Sequence, residues 1–351
     1  MVAERSHQSV LRYALALLII LWFLGLQSTR MSPPAKGRDT VADGIAFLHS
    51  LQRDDGSFTL LRHDTSCADC APAVRVSVIT TALVMKHLAT ARRCGVATDL
   101  IDEVALRGRT FLLASSHDVD NARVWRFYPD DAYPPADADD TAASLVALDV
   151  RDPELAGTLA ALARMQGPGG GFLTWFDPGG MPNTETITVS SRAATALTVT
   201  GTPFDREALC TFLHERFQDD HWTGAWVAPR PRYATYLALE ASLVCGCDVP
   251  GRDAVIRYLG SSGPDGMDVL DLSLTVLALD SLGAPLPPDT VDMLKTFQET
   301  DGGFPDALFF TEGPMDTTIQ FSDRAFTTAF AVSALATNTC PAGTGSGVAR
   351  P

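Results

Sequence analysis

The sequence predicts an all-α fold of six helical hairpins that close into an (α/α)6 toroid. One turn motif occurs three times. Gln52, Gln166 and Gln298 are each followed by a glycine four residues later and a phenylalanine six residues later. Each recurring turn leads into a second, more apolar helical segment, and such internal repetition is typical of repeat architectures. An aromatic–aliphatic pair also recurs inside the first helix of the pairs, at Phe47-Leu48, Phe111-Leu112, Phe212-Leu213 and Tyr258-Leu259.

The predicted helices alternate between an outer and an inner type. Outer helices carry charge on one face, as Arg206 and Glu207 do, which is typical of a helix with one solvated side. Inner helices are rich in Ala, Leu, Val and Thr nearly all round, and they are predicted at 76–89, 141–149, 190–199, 233–244, 269–282 and 324–336. Closing into a ring lets all six pairs bury their flanks, whereas an open solenoid, the alternative, needs capped ends.

The glutamine turns favour a structural interpretation over a catalytic one. A glutamine amide can satisfy backbone groups left without partners at helix ends, and glycine permits the tight turn. The phenylalanine then covers the junction. No catalytic role is therefore predicted for these motifs.

Composition and charge narrow the class of protein. The 351 residues are 46% hydrophobic and 20% charged, as in ordinary globular chains. With 27 Lys and Arg against 42 Asp and Glu, the formal charge of −15 disfavours nucleic acid as a partner. Seven scattered cysteines are too few for a disulfide scaffold and favour a reducing compartment, and their odd number leaves at least one thiol unpaired.

The chain ends are predicted to lie outside the folded domain. Residues 1–38 contain an uncharged apolar run of 13 residues from Ala14 to Leu26, shorter than the roughly 18 of a clean membrane span. Its length suits a signal peptide, yet no A-x-A site follows, so an uncleaved anchor stays open. The protein is thus predicted to be membrane-associated or exported, or cytoplasmic if Met31 is the true start. Residues 39–340 form the barrel and 341–351 a disordered tail.

Three aspartates stand out at the start of an inner helix. Asp137, Asp139 and Asp140 lie within four residues, and Asp140 or Thr141 is predicted to be the N-cap of that helix. Crowding and burial should keep at least one of these carboxyls protonated, and a neutral carboxylic acid held in place is a proton donor. A solvated acidic loop or a divalent-cation site is the alternative.

The string D-x-D-D-T-A occupies residues 137–142. An aromatic–proline segment precedes it, and the chain also carries the Q-x3-G-x-F turns. With these motifs the sequence resembles the class II terpene cyclases, which include squalene-hopene cyclases. The resemblance covers roughly residues 41–340. It implies that the second aspartate, Asp139, protonates a terminal alkene or epoxide and starts carbocation cyclisation, a reaction of the isomerase or lyase type. Asp137 and Asp140 would hold its geometry and its proton, and no cofactor is expected.

The resemblance also implies a deep apolar pocket for an isoprenoid, with aromatic faces that stabilise the cation. Family members usually have two barrels and this chain has room for one, so a membrane, a second subunit or a short substrate would complete the pocket. No motif for magnesium diphosphate is found, which leaves a diphosphate substrate unsupported. The candidate wall residues are Trp125, Phe127, Tyr128, Trp175, Phe176, Trp222, Trp226, Tyr233 and Tyr236.

Three other interpretations are weighed. Protein prenyltransferase β subunits share the toroid, but the order from Cys245 to Asp248 does not match their D-x-C, and no histidine follows His221 as a later zinc ligand. An H-x3-C-x2-C cluster is formed by His63, Cys67 and Cys70. With a fourth ligand these residues could bind zinc, although a plain loop or a local disulfide is favoured. The functional alternative is a non-catalytic toroid that binds a lipid or a partner protein, its acidic cluster serving as a helix cap.

Overall fold

The computed structural model describes residues 39–67, 69–131, 134–148, 153–224, 227, 230–261, 267–311 and 318–340. This part of the chain contains twelve α-helices and two small antiparallel sheets. In chain order the elements are α1 Thr40–Leu51, β1 Phe58–Asp64, β2 Ala73–Ser77, α2 Val78–Arg93, α3 Thr98–Ala114, β3 His117–Val119, β4 Ala122–Val124, α4 Ala138–Leu148, α5 Ala156–Arg164, α6 Ile187–Val199, α7 Arg206–Glu215, α8 Pro231–Cys245, α9 Arg252–Ser261, α10 Val269–Ser281, α11 Thr290–Thr296, β5 Leu308–Thr311, β6 Ile319–Ser322 and α12 Arg324–Thr339.

The even-numbered helices form a closed cycle of packing contacts. Each packs against the next, from α2 through α4, α6, α8 and α10 to α12, and α12 packs back against α2. They are the six predicted inner helices, and their burial explains their composition. In α10, for example, every residue from Val269 to Leu279 except Asp271 is buried, as expected of a helix that is apolar on all sides.

The odd-numbered helices lie outside this cycle and bury one face each. In α7 the buried residues are Leu209, Phe212 and Leu213, spaced three and four apart on one side of the helix. Asp205 caps α7, because its side chain accepts a hydrogen bond from the backbone N–H of Ala208. The predicted alternation of outer and inner helices is thus present along the chain.

The glutamine turns fasten consecutive units to each other. In the last turn, Gln298 Nε2 donates to the carbonyl oxygens of Gly302 and Thr40, at 2.8 Å each. This joins the final turn to the first helix. The other two turns repeat the arrangement, with Gln52 donating to Gly56 and Val104 and Gln166 donating to Gly170 and Asp205. The Nε2 group of each glutamine is thus used in bonds to the backbone, as a structural role requires.

The prediction of an all-α fold is wrong in one respect. Four antiparallel strands form a sheet in the order β2–β1–β6–β5, and β3 and β4 form a hairpin. In the larger sheet, Leu61 of β1 pairs with Ser322 of β6, so that the sheet joins the first unit to the last. Its short strands lie in segments that separate a turn from an inner helix. The helical repeat does not predict the structure of these segments.

The cysteines correct the expectation of a reducing compartment. Six of the seven form disulfides, Cys67–Cys70, Cys94–Cys340 and Cys210–Cys247, and the buried Cys245 remains free. The prediction of at least one unpaired thiol is therefore confirmed. Because Cys67 and Cys70 pair with each other, the cluster with His63 has no thiolate left for zinc. Of the two cysteines in the prenyltransferase-like segment, Cys247 pairs with Cys210 and Cys245 alone is free. Among the described residues, no group of three or more His, Cys, Asp and Glu side chains is arranged to hold a metal ion.

The predicted apolar leader at 1–38 and tail at 341–351 lie outside the described residues. Of the helices that the structure describes, none has the length and apolar character needed to cross a membrane.

Candidate active site

A cavity opens at the end of the ring where the inner helices begin. It contains about 850 Å³ of space between atoms, including its opening to solvent. Residues from the first two turns of α2, α4, α6 and α8 line it, together with aromatic residues from the loops and from the larger sheet. Several helix N-termini therefore point to this cavity, and their partial positive charge favours carboxylates there.

All three predicted aspartates line this cavity. Asp137 precedes α4 and caps it, because its Oδ1 accepts a hydrogen bond of 2.6 Å from the backbone N–H of Asp140. The N-cap is thus Asp137, not Asp140 or Thr141 as predicted. The Thr141 hydroxyl instead accepts from the backbone N–H of Trp125 at 3.1 Å. Asp139 is the aspartate most open to the cavity, because its side chain is 17% exposed whereas Asp137 and Asp140 are buried.

Burial raises the pKa of two of the aspartates. It raises the pKa of Asp137 to about 7, against hydrogen bonds from Asp140 that lower the pKa and with a smaller raising effect from the charge of Asp139. Burial also raises the pKa of Asp140 well above its usual range, reinforced by the nearby carboxyls of Asp137 and Asp139. Near neutral pH this buried pair therefore holds at least one proton, as the sequence predicted for the cluster.

Arg192 of α6 provides the positive charge of the cluster. Its guanidinium forms an ion pair with Asp139 Oδ2 and a hydrogen bond with the hydroxyl of Tyr233. Burial lowers the pKa of Arg192, but the charge and hydrogen bond of Asp139, together with the nearby Tyr233 and Asp140, outweigh burial and hold that pKa above its usual value. The cation thus offsets one of the three carboxylates. Sequence reasoning missed this residue, although a lone arginine within the otherwise uncharged α6 was a signal for it.

The structure brings four of the predicted aromatic residues to the cavity wall: Phe127, Tyr128, Trp175 and Tyr233. Burial raises the pKa of Tyr233 to about 12, against the lowering effect of Arg192. Its hydroxyl therefore stays protonated at any physiological pH.

Three further aromatic residues of the wall come from the sheet that the sequence did not predict. Phe309, Phe310 and Phe321 line the cavity from β5 and β6. The ring centroid of Phe127 lies 5.5 Å from that of Phe310 and 5.3 Å from that of Phe321. The double aromatic Phe309-Phe310, in the long segment before the last inner helix, was the available signal.

The remaining predicted aromatic residues are not brought to the cavity. Trp125 and Trp222 are fully buried in the core, and their indole Nε1 groups donate to the carbonyls of Leu112 at 2.7 Å and Leu213 at 2.8 Å. Both tryptophans therefore anchor an inner helix to the preceding outer helix. Phe176 and Tyr236 pack outside the cavity lining, and Trp226 lies outside the described residues.

No family model matches the chain, and no curated protein matches it either. Several solved structures are similar to the chain. The type II terpene cyclase MstE from Scytonema superposes with a TM-score of 0.66 at 17% identity, over 85% of this chain and 97% of that one. A variant of MstE in complex with geranylgeranyl dihydroxybenzoate, its substrate, gives a TM-score of 0.64 at 18% identity, over 85% and 96% of the chains. A protein from Actinoplanes gives 0.60 at 20% identity, over 84% and 97%.

These similarities define the class of fold. At such identities they establish that the chain shares the fold of a type II terpene cyclase over 85% of its own length. Fold alone does not carry activity, so the function has to be argued from the cavity and its aspartates.

Proposed function

We propose that the protein is a class II terpene cyclase-like enzyme, with the six-hairpin (α/α)6 toroid of that class, which starts the cyclisation of an isoprenoid by protonating it through the D-x-D-D motif. The observation that carries the proposal is the cluster of Asp137, Asp139 and Asp140 in the wall of an aromatic-lined cavity. Carboxyls that keep a proton near neutral pH, beside a space for an apolar molecule, are what acid-initiated cyclisation requires.

Asp139 is the proposed proton donor. It is the member of the cluster most open to the cavity, and it holds the position of the acid in the family motif. Protonating an alkene demands a strong acid, and the guanidinium of Arg192 stabilises the carboxylate that Asp139 becomes after it has given up the proton.

Asp137 and Asp140 are proposed to supply and position this proton. Asp137 fixes the first turn of α4 through its bond to the backbone of Asp140, so that Asp139 is presented at a fixed angle to the cavity. Near neutral pH the two buried carboxyls hold at least one proton between them and therefore add at most one negative charge that would oppose ionisation of Asp139. Together the three aspartates act as one proton reservoir.

The aromatic wall is proposed to stabilise the cation. The faces of Phe127, Tyr128 and Trp175 carry negative electrostatic potential and do not act as nucleophiles under these conditions. Phe309, Phe310 and Phe321 extend this surface along the sheet. The reaction that fits is ring closure followed by loss of a proton or capture of water.

The substrate is proposed to be an isoprenoid that one barrel can enclose. MstE, which shares the fold, binds a geranylgeranyl chain joined to a dihydroxybenzoate. We therefore include a geranylgeranyl-bearing benzoate among the candidates, with squalene, its epoxide, and farnesyl and geranylgeranyl species. We also propose contact with a membrane or with a second subunit as a means of closing the cavity.

Mass-spectrometric product analysis of the purified protein in detergent tests the proposal. Asp139→Asn is the test variant, and Asp292→Asn, at a side chain that is 79% exposed on α11, is the matched control. Cyclised product in the unmodified protein and the control, with its loss in Asp139→Asn, is the expected result. Equal product from Asp139→Asn would overturn the proposal, and tight isoprenoid binding without any product would establish a lipid-binding toroid instead.

A further inference from the structure

Phe309 and Phe310 are neighbours in β5, and both of them line the cavity. In a regular strand successive side chains point to opposite faces, so one of the two rings should face away. Leu308 of β5 pairs with Ser322 of β6. The next pair joins Phe310 to Phe321, so Phe309 is an extra residue and forms a β-bulge. A bulge bends its strand and redirects side chains, and this one turns two consecutive rings toward the same space.

The side chain of Arg230, which lies outside the sheet, holds this bulge. Its Nε donates to the carbonyl oxygen of Leu308, the residue before the bulge. Its Nη1 and Nη2 donate to the two carboxylate oxygens of Asp268, and Nη1 also lies 3.1 Å from Asp271 Oδ2. We call Arg230, Asp268 and Asp271 the clamp. Because the planar guanidinium bonds two carboxylates and a backbone carbonyl at once, a lysine could not replace it.

The clamp is built on the starts of two helices. Arg230 immediately precedes α8, and its carbonyl oxygen accepts from the backbone N–H of Tyr233 at 2.9 Å. Asp268 caps α10, because its Oδ1 accepts from the backbone N–H of Asp271 at 3.0 Å. The side chain of Arg230 is only 10% exposed, so water competes little for its bonds. Two helices therefore fix the position of the bulge, which the short strand alone would not.

Each ring at the bulge also packs against a second ring. Phe309 stacks on Phe326 of α12, with the ring centroids 4.1 Å apart and the planes at 11°. Phe310 stacks on Phe127, with the centroids 5.5 Å apart. Such stacking keeps its geometry only while the backbone that carries the rings stays in place. The placement of both rings thus depends on where the clamp holds β5.

We propose that Arg230 is a positioning residue of the cyclase: through the clamp it holds Phe309 and Phe310 where they stabilise a late carbocation, and so it decides how far cyclisation proceeds. This inference rests on the proposed function and adds a specificity-determining residue to it. Arg230 does not itself line the cavity, so it acts on the substrate through the two rings.

The clamp lies across the ring from the aspartates. In the closed cycle of six inner helices, α10 is three places away from α4, the helix that presents Asp139. The substrate is protonated at α4, so a cation formed further along its chain lies closer to the clamp. The ring faces of Phe309 and Phe310 carry the negative potential that stabilises such a cation.

The electron balance of ring closure explains why this position matters. In each closure the π electrons of an alkene form a carbon–carbon bond to the cationic carbon, and the positive charge passes to the next carbon. A cation that is not stabilised loses a proton to water, or adds water and then loses a proton, before the next closure. A displaced bulge therefore ends the cyclisation early and leaves the first protonation by Asp139 unaffected.

The ratio of fully cyclised to partly cyclised product measures this role. The full chain is offered geranylgeranyl dihydroxybenzoate, squalene, squalene epoxide, and farnesyl and geranylgeranyl diphosphate in separate reactions, and the products are resolved by chromatography with mass spectrometry. We expect Arg230→Met to shift the ratio about tenfold toward partly cyclised product, the size of one weakened cation–π contact, while substrate consumption changes less than about threefold. A residue that only stabilised the fold would lower total product and leave the ratio unchanged, and that result would overturn the inference.

Arg109→Met is the matched control. Arg109 Nη1 donates to the carbonyl oxygen of Leu148 at 2.8 Å, at the end of α4 away from the cavity. This variant loses the same kind of arginine–carbonyl bond, and its product ratio should stay that of the unmodified protein. Phe309→Leu should reproduce the shift of Arg230→Met, and the double variant should shift the ratio no further, because residues that act through one another do not contribute additively. Additive shifts, or a shifted ratio in the control, would count against the clamp.

If Arg230→Met fails to fold because two carboxylates are left without a cation, the variant Arg230→Met with Asp268→Asn and Asp271→Asn takes its place, since asparagine still caps α10. A crystal structure of the variant gives a readout that does not depend on activity: the ring of Phe309 should move off that of Phe326. An unmoved bulge overturns this inference alone. No cyclised product from the unmodified protein with any of the isoprenoids overturns the proposed function, and the role of Arg230 with it.

Discussion

The pairing of Asp139 with Arg192 is the residue-scale feature on which the chemistry depends. A buried guanidinium beside three carboxyls lowers the cost of placing them together, and the Tyr233 hydroxyl holds the guanidinium in place. The same ion pair makes the cluster sensitive, because removing the cation leaves carboxyls in a low-dielectric site without compensation.

Replacing Arg192 by methionine is therefore expected to destabilise the fold by about 3 kcal/mol and to reduce cyclisation strongly. Urea unfolding followed by circular dichroism measures the first effect. Arg257→Met, at an exposed position on α9, is the control and should change the free energy of unfolding by less than about 0.5 kcal/mol. Equal stability of the two variants would contradict a buried ion pair at Arg192.

Stability should also report the proton held by the buried aspartates. The folded-state pKa of Asp137 is about 7, above that of a carboxyl in an unfolded chain, so the folded state binds more protons between about pH 4 and pH 7. The free energy of unfolding should therefore fall as pH rises through this window, by the order of 4 kcal/mol. Asp137→Asn keeps an N-cap but cannot ionise, and it should flatten this decline. A decline of the same slope in Asp137→Asn would contradict the assignment.

At the scale of elements, the three glutamine turns share one backbone conformation. Their glycines, Gly56, Gly170 and Gly302, have φ of +87°, +89° and +91°, a region that disfavours residues with a side chain. At Gly170 a Cβ would also collide with the carbonyl oxygen of Ala208 at the start of α7. The turn is therefore tight because its glycine packs directly against the backbone of the next outer helix.

Gly170→Ala is expected to destabilise the protein by about 3 kcal/mol, from the combined cost of the conformation and the collision. Gly180 has nearly the same φ, +91°, and a Cβ added there would meet nothing within 4 Å, so Gly180→Ala isolates the conformational cost. It should lower stability by only about 1 kcal/mol. Thermal unfolding of both variants makes the comparison, and equal losses would show that the contact with Ala208 carries no energy.

For the whole molecule, a disulfide ties the ring together. Cys94 follows α2 and Cys340 follows α12, so this bond joins helices 246 residues apart in the chain at the point where the cycle of inner helices closes. By contrast, the bond between Cys67 and Cys70 spans three residues. In the chain-entropy account, a cross-link stabilises more when it closes a longer loop.

The double variant Cys94→Ser with Cys340→Ser is therefore expected to lose about 4 kcal/mol of stability. Cys67→Ser with Cys70→Ser is the control with the same chemical change and a short loop, and it should lose much less. Scanning calorimetry in the absence of reductant measures both. A larger loss in the control would contradict the role of the long-range bond in closing the ring.

Much of the helical architecture and part of the site were predictable from local sequence. The six inner helices are present where their composition predicted them, because a helix that is buried on all sides must be apolar on all sides. The three aspartates stand next to each other in the chain, so their crowding was visible without a structure. Four of the nine predicted aromatic residues line the cavity. Trp125 and Trp222 do not line it. The sequence did not distinguish them from wall residues, because a large aromatic side chain suits both the anchoring of a hairpin and the wall of a cavity.

Other features depend on contacts between distant segments. Arg192 meets Asp139 across 53 residues, and the first and last units meet in one sheet whose strands lie more than 250 residues apart. The sequence by itself determined the repeat, the helix faces and the acidic motif, because each is encoded at spacings of a few residues. Only the tertiary structure decided which cation balances the aspartates, which rings form the wall and which cysteines pair, because the closing of the ring brings together side chains that no local spacing relates.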